Sequence, residues 1–165
     1  MHWYCVQTKP GKELHAAAYV AANLGVATFF PQIREERIVR RVRRLIRRPL
    51  FPRYFFCQID PARGSRAIRF APDVIDIVSF GGMPAPVPAG IIDQLRAWDG
   101  APAGENTDRP ELHEGDQVKI ASGPLKGLDA VVLQGRTDSA RVAVLLHLLQ
   151  GGATITIDRT QLART

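Results

Sequence analysis

Apolar residues recur along this chain in two rhythms, and the shifts between them predict its elements. Trp3 to Val6 is a short aromatic and β-branched run that predicts a strand. Pro10-Gly11 punctuates it, and proline suits the first turn of a helix because its missing N–H has no intrahelical partner there. Leu14, Ala17, Ala18, Ala21 and Leu24 then follow helical spacing, with Gly25 placed to end the helix. Residues 26–33 predict a strand interrupted at Pro31. The segment 49–60, PLFPRYFFCQID, is apolar at both alternating positions, so its second half predicts a buried central strand. Another strand is predicted over 73–80, ending at Gly81-Gly82. Pro88 opens a second helix with Ile91, Ile92, Leu95 and Trp98 on one face. The order predicts an α+β fold, an antiparallel sheet sandwiched with helices.

Beyond residue 113 the rhythm shortens. Gln117–Ile120, Ala130–Leu133, Val142–Leu149 and Thr154–Ile157 are short apolar or β-branched runs separated by Ser122-Gly123-Pro124, Gly127, Gly135 and Gly151-Gly152. Strands at this spacing with glycine turns predict a small β-barrel. The run RVAVLLHLLQ (141–150) pulls the other way, because its leucines favour helix.

Charge separates the same two regions. Residues 1–100 carry 15 Lys/Arg against 8 Asp/Glu, whereas residues 101–165 carry 7 against 8. A basic module and a near-neutral one imply that only the first faces a polyanion. Between them, DGAPAGENTDRPELH (99–113) offers little to bury and reads as a linker. The expected organisation is a first domain over 1–99, a linker over 100–113 and a second domain over 114–165. A 45% hydrophobic content excludes disorder throughout. The opening MHWYCVQTKPGKE lacks a signal-peptide profile, and the longest apolar run is far too short to span a bilayer. A soluble, cytoplasmic, monomeric protein with no membrane contact is expected.

The arginines are the strongest chemical signal. Residues 34–48 hold eight of them, including Arg40, Arg41, Arg43 and Arg44, opposed only by Glu35 and Glu36. The interleaved Ile38, Val39, Val42, Leu45 and Ile46 fit a twisted hairpin or a short amphipathic helix. Such density attracts phosphate backbones without reading sequence. The competing reading is an edge strand whose charges block aggregation, although eight like charges exceed what that needs. A second patch sets Lys9, Lys12 and His15 beside Trp3 and Tyr4, an arrangement that suits phosphates and a stacked base. Ordinary core packing of the two aromatics explains it equally well. Catalysis has little support. The four histidines lack metal-ligand spacing, Cys5 and Cys57 fall in predicted strands where inert thiols are usual, and no phosphate-binding glycine loop is present. No enzyme activity, cofactor or metal is expected.

Taken together, several segments resemble the NusG family. WYCVQTKPGKE is similar to the family's opening strand and turn, and PLFPRYFFCQID to its Pro-Leu-Phe-Pro-x-Tyr segment. IVSFGGMPAPVPAGIIDQL resembles the following strand, Phe-Gly turn, proline loop and last helix, and GDQVKIASGPLKGLDAVVL resembles a KOW motif. The compact length and the Leu145–Leu149 run resemble the RfaH-like paralogues more than general NusG. The resemblance implies a transcription elongation and antitermination factor, with a helical hairpin as an alternative state of the second module. Its first domain would bridge the DNA channel of RNA polymerase, docking on the clamp helices of the largest subunit through Phe51, Tyr54, Phe56, Phe80, Ile92 and Leu95. Core packing is the competing role for each. A second contact would come from a polar loop at Ser65-Arg66-Ala67, which departs from the His-Thr-Thr segment of RfaH-like members. Lys9, Lys12, His15 and Tyr19 match the surface that meets non-template DNA. Leu125, Lys126 and Leu128 match the KOW turn that recruits a small-subunit ribosomal protein or the termination factor Rho. The rival reading is a ribosome- or RNA-binding KOW protein without polymerase contact; a phage or plasmid factor of the same mechanism reads identically.

Overall fold

In the computed structural model, which describes residues 1–88, 90–99, 117–120, 129–131, 149 and 162–164, the opening aromatic run forms β1 (His2–Thr8). The chain divides into two units, Met1–Phe30 with Phe51–Ile92 and Pro31–Leu50 with Asp93–Thr165.

In the first unit, β1 lies inside a four-stranded antiparallel sheet with β2 (Ala27–Phe29), β5 (Tyr54–Ile59) and β6 (Val74–Ile77), in the order β2-β5-β1-β6. The predicted central strand is therefore β5, buried at five of its six positions. One face of the sheet carries Tyr4, Val6, Phe55, Cys57, Ile59 and Ile77 against α1 (Glu13–Leu24) and α2 (Pro61–Arg69), which contribute Ala16, Ala17, Val20 and Ile68. Cys57 is on this face. Cys5, one register step away beside Phe56, points to the other. Both thiols are buried and free; burial pushes Cys5 well above its ordinary value, with Cys57 nearby adding to the rise, and pushes Cys57 up to about 12.

The structure corrects the predicted helices in three respects. α1 begins at Glu13, so Pro10 lies in the turn ahead of it, where the Lys12 N–H donates to the Lys9 carbonyl at 3.2 Å. Its buried face is Glu13, Ala16, Ala17 and Val20, rotated from the predicted Leu14, Ala17, Ala18, Ala21 and Leu24, and Leu14 is exposed. An alanine-rich helix has little side-chain bulk to fix its rotation, and a polar anchor fixes it instead. The Glu13 carboxylate is buried and accepts the Arg53 backbone N–H at 2.7 Å. Helix α2 was not anticipated, and it turns the expected polar loop at Ser65-Arg66-Ala67 into helix. Its start is nonetheless written in the sequence: Asp60 caps the Ala62 N–H at 3.1 Å and Pro61 fills the first turn. Gly64 in its interior discourages a helical reading, yet a Cβ there would lie 3.2 Å from the Ile59 Cβ, so glycine permits the close approach of α2 to β5. The last helix, α3 (Ile91–Trp98), starts after Pro88, whose carbonyl accepts the Ile91 N–H at 3.3 Å.

The arginine segment forms a hairpin, β3 (Gln32–Val39) paired with β4 (Val42–Pro49), within the second unit. Its base is closed by the Leu50 N–H on the Pro31 carbonyl at 2.9 Å and by the Gln32 N–H on the Asp99 carboxylate at 2.9 Å. A short hairpin of β7 (Ser79–Phe80) and β8 (Met83–Pro84) turns at Gly81-Gly82, both with positive φ as the turn demands. Further along, β9 (Gln117–Ile120) pairs antiparallel with β10 (Asp129–Val131) and β11 (Leu162–Arg164). β11 had no predicted counterpart. Leu149 is buried, and the rest of the strand predicted over 142–149 lies outside the described residues. The 100–113 linker and the strand predicted over 154–157 lie outside the described residues.

Removing the Glu13 anchor tests its weight. Glu13→Ala leaves the Arg53 N–H without its acceptor and is expected to destabilise the first unit by about 1–2 kcal/mol, with Glu13→Gln recovering part of that loss, measured by urea unfolding.

Candidate functional site

Alternation along β5 sorts its aromatics. Phe55 and Cys57 point into the helix-covered core, whereas Tyr54 and Phe56 share the opposite face with Cys5, which pairs with Phe56 in register. Phe51 joins them edge-on, its ring centroid 6.2 Å from that of Phe56, and Phe29 stacks on Phe56 at 6.2 Å. The connection from Phe51 to Tyr54 is a tight turn, closed by the Tyr54 N–H on the Phe51 carbonyl at 3.1 Å. Pro52 occupies its first central position and Arg53, at φ 73°, the second, where glycine is usual. Glu13 accepts from the Arg53 N–H and the Thr8 N–H donates to the Arg53 carbonyl at 2.8 Å, so the peptides on both sides of this residue are held. The sequence thus places three of the expected docking residues on one surface through a turn that a distant helix stabilises.

Phe51, Tyr54, Phe56, Ile92 and Leu95 are all buried, and Phe80 is half-buried at the turn of β7–β8 beside the exposed Met83. Burial raises the Tyr54 phenol, the nearby Cys5 thiol adds to the rise and the Arg53 charge opposes it, so the hydroxyl stays protonated. Of the expected second contact, Ser65 donates to the Pro61 carbonyl at 2.5 Å, while Arg66 is exposed with its guanidinium 6.0 Å from the Phe70 ring centroid. Phe70 itself, 79% exposed immediately after α2, was missed by sequence reasoning because α2 was missed. Leu125, Lys126 and Leu128 lie outside the described residues.

Lys9 and His15 of the basic patch gather around an acid, and Tyr4, expected beside them to stack a base, is instead buried in the helix-covered core. Lys9 Nζ lies 3.4 Å from one Asp73 oxygen and His15 Nδ1 2.9 Å from the other. Desolvation raises the Asp73 carboxyl, and the hydrogen bonds from His15 and Lys9 with the charges of Lys9 and Lys12 outweigh it, leaving its pKa lowered. Tyr19, one turn beyond His15, is half-buried. Asp73 offsets part of the field that Lys9, Lys12 and His15 would present to a phosphate.

The hairpin is different. Arg37 and Arg48 reach Glu35 at 3.4 and 2.8 Å, and Arg43 reaches Glu36 at 3.8 Å. No carboxylate among the described residues pairs with Arg34, Arg40, Arg41, Arg44 or Arg47. Electrostatics therefore ranks the hairpin above the α1 patch as an anion-facing surface. Among the described residues no cluster of acidic, histidine or cysteine side chains could hold a metal, and no helix is long and apolar enough to cross a membrane.

A family model described as "Transcription termination factor nusG" matches residues 1–96. The "Transcription termination/antitermination protein NusG" of Thermus thermophilus is 24% identical over 181 aligned residues, spanning 99% of this chain and 98% of that protein. Its namesake from Deinococcus radiodurans is 27% identical over 133 residues, spanning 72% and 70%. A solved structure described as "Domain interaction in Thermotoga maritima NusG" is similar over 84% of this chain and 82% of that one, at 25% identity and a TM-score of 0.48. These matches do not separate the RfaH-like subtype from NusG at large.

The Glu35 carboxyl supplies a pH test of the hairpin. The Arg48 hydrogen bond lowers it most, desolvation opposes, and the Arg48 and Arg37 charges with the Arg37 hydrogen bond add to the lowering from the ordinary 4.5. A depressed carboxylate stabilises the fold above its unfolded value, and that contribution is lost as the pH falls through the folded one. Amide protection factors across β3 and β4 are therefore expected to fall as the pH drops below the ordinary 4.5, and to fall less in Glu35→Gln. Glu35 is about one-third exposed, so the effect should stay below about 1 kcal/mol.

Proposed function

The chain belongs to the NusG family of transcription termination and antitermination factors, and from that premise we propose that it binds RNA polymerase across the DNA channel through its first domain. The family is one of non-enzymatic transcription factors. The observation that carries the reading is the surface shared by Phe51, Tyr54 and Phe56, set by strand register and by the turn at Pro52-Arg53 within the matched residues 1–96. Phe80 and Ile92, in the same unit, extend the docking set toward the clamp helices of the largest subunit. Because most of these side chains are buried in the free chain, docking needs the face to open, and the half-buried Phe80 next to exposed Met83 is the point from which it opens. Arg66 with Phe70 forms the second contact, across the channel. Lys9, Lys12, His15 and Tyr19 face the exposed non-template strand.

Such a factor needs no covalent chemistry. Contacts that are better in the moving polymerase than in the paused one shift the population between them, suppressing pauses or termination. The KOW region, through Leu125, Lys126 and Leu128, recruits a small-subunit ribosomal protein or Rho.

The test is affinity of the full chain for core RNA polymerase in the absence of nucleic acid. Binding is expected, and Phe80→Ala should weaken it about tenfold or more, the size of an interface residue worth over 1 kcal/mol, while leaving the thermal transition nearly in place. No measurable binding by the parent chain would overturn the reading and favour an RNA- or ribosome-binding role.

A further inference from the structure

Helices α1 and α2 cover the same face of the first unit's sheet, and where α1 ends and α2 begins a cleft of about 570 Å³ lies between them. Leu24 and Val26 line it on the α1 side and Ala67 on the α2 side, with the buried Ile59 and Ile68 between. Small-molecule sites have volumes of roughly 300–1,000 Å³ and are likewise mostly apolar with a few placed polar groups. The walls are fixed by backbone features rather than by side chains free to rotate inward. Gly25 ends α1, Asp60 caps α2, and the approach of α2 to Ile59 is as close as a glycine at position 64 allows. The positions from which a side chain could close the space hold Ala27 and Ala67. Packing elsewhere in this core is tight, leaving Val6, Val20 and Phe55 with no exposed surface, so the cleft is not part of a general looseness.

Charge at the cleft is one-sided. Among the described residues lining it, Asp60 is the one carboxylate, and it is turned to the start of α2, where it accepts the Ala62 N–H at 3.1 Å. Arg63, in the first turn of α2, is exposed at the mouth, and no carboxylate among the described residues pairs with it.

We propose that this cleft binds a small amphipathic anion, a molecule with a slender apolar body and a terminal carboxylate. The body occupies the space between Leu24, Val26 and Ala67, removing their apolar surface from water. The carboxylate meets the Arg63 guanidinium, whose planar fork matches its two oxygens. One observation separates this occupant from an added peptide strand. Strand addition uses a run of exposed edge residues, whereas the cleft takes only Ala27 from the edge strand β2. The site lies wholly within the first unit and goes beyond the polymerase reading, on which it does not depend.

The test is amide NMR of the full chain, without polymerase or nucleic acid, titrated with decanoate, with neutral decanol and with acetate, each below the concentration at which it aggregates. Decanoate is expected to shift the amides of Leu24, Val26, Gln58 and Gly64 as one saturating set. Acetate, lacking the body, should leave them in place, and decanol, lacking the charge, should bind more weakly. Arg63→Gln should cost decanoate about fivefold in affinity, the size of an exposed ion pair, and leave decanol unchanged. Arg63→Glu should reverse the preference, so that decylammonium binds more tightly than decanoate. Ala67→Leu places a good helix former at an exposed helical position, so the thermal transition should hold while decanoate binding is lost. The proposal is overturned if decanoate leaves this set of amides unmoved, if decanol binds as tightly as decanoate, or if Arg63→Gln or Ala67→Leu binds decanoate with parental affinity. It is equally overturned if a capped peptide of apolar and acidic residues displaces decanoate at lower concentration, which would make the cleft a docking groove for a protein.

Discussion

A buried carboxylate on one backbone N–H governs much of this structure. Glu13 begins α1 and, through the Arg53 peptide, holds the turn that leads into the central strand β5. Arg53 sits in a left-handed conformation that costs a side-chain-bearing residue about 1–2 kcal/mol relative to the ordinary basins, so the turn requires an external constraint. The charge-assisted hydrogen bond is of the same order and offsets it. This contact ties the start of α1 to the turn that carries Phe51 toward Phe56, and strand alternation along β5 then puts Tyr54 on one side and Phe55 on the other. The helix-covered core and the aromatic surface opposite it thus share one polar joint.

What the sequence revealed follows from how local each signal is. The strands and the hairpin arise from period-two patterning and turn chemistry within a few residues, and β1, β5 and β6 fall where those patterns lie. The rotation of α1 was not legible, because an alanine-rich helix carries little directional information and its anchor is forty residues away in sequence. Helix α2 was missed for the opposite reason: Asp60 and Pro61 announce it locally, but Gly64 and four flanking polar or small residues give no apolar stripe. Its glycine makes sense only against Ile59. The choice of Tyr54 and Phe56 over Phe55 came from family resemblance; strand alternation puts the two on the face opposite Phe55, where both are buried.

The site residues divide by the same criterion. The arginines could be counted in the sequence, but whether they are neutralised depends on partners distant along the chain. Asp73, nearly sixty residues from His15, offsets part of the charge of the α1 patch. Glu35 and Glu36 are adjacent to the hairpin arginines and still leave most of them unmatched among the described residues. Charge counting ranks these two surfaces less sharply than the geometry does.

The two cysteines add one more consequence. They sit on neighbouring strands yet face opposite sides of the sheet, so each surface of the first unit contains its own thiol, and the two side chains project away from each other. With both held protonated by burial, neither reacts until its own layer opens. The molecule therefore contains a pair of native chemical reporters: alkylation at Cys57 times the lifting of the helices, and alkylation at Cys5 times the uncovering of the aromatic surface. Their relative rates give the order in which the two sides of a single sheet come apart.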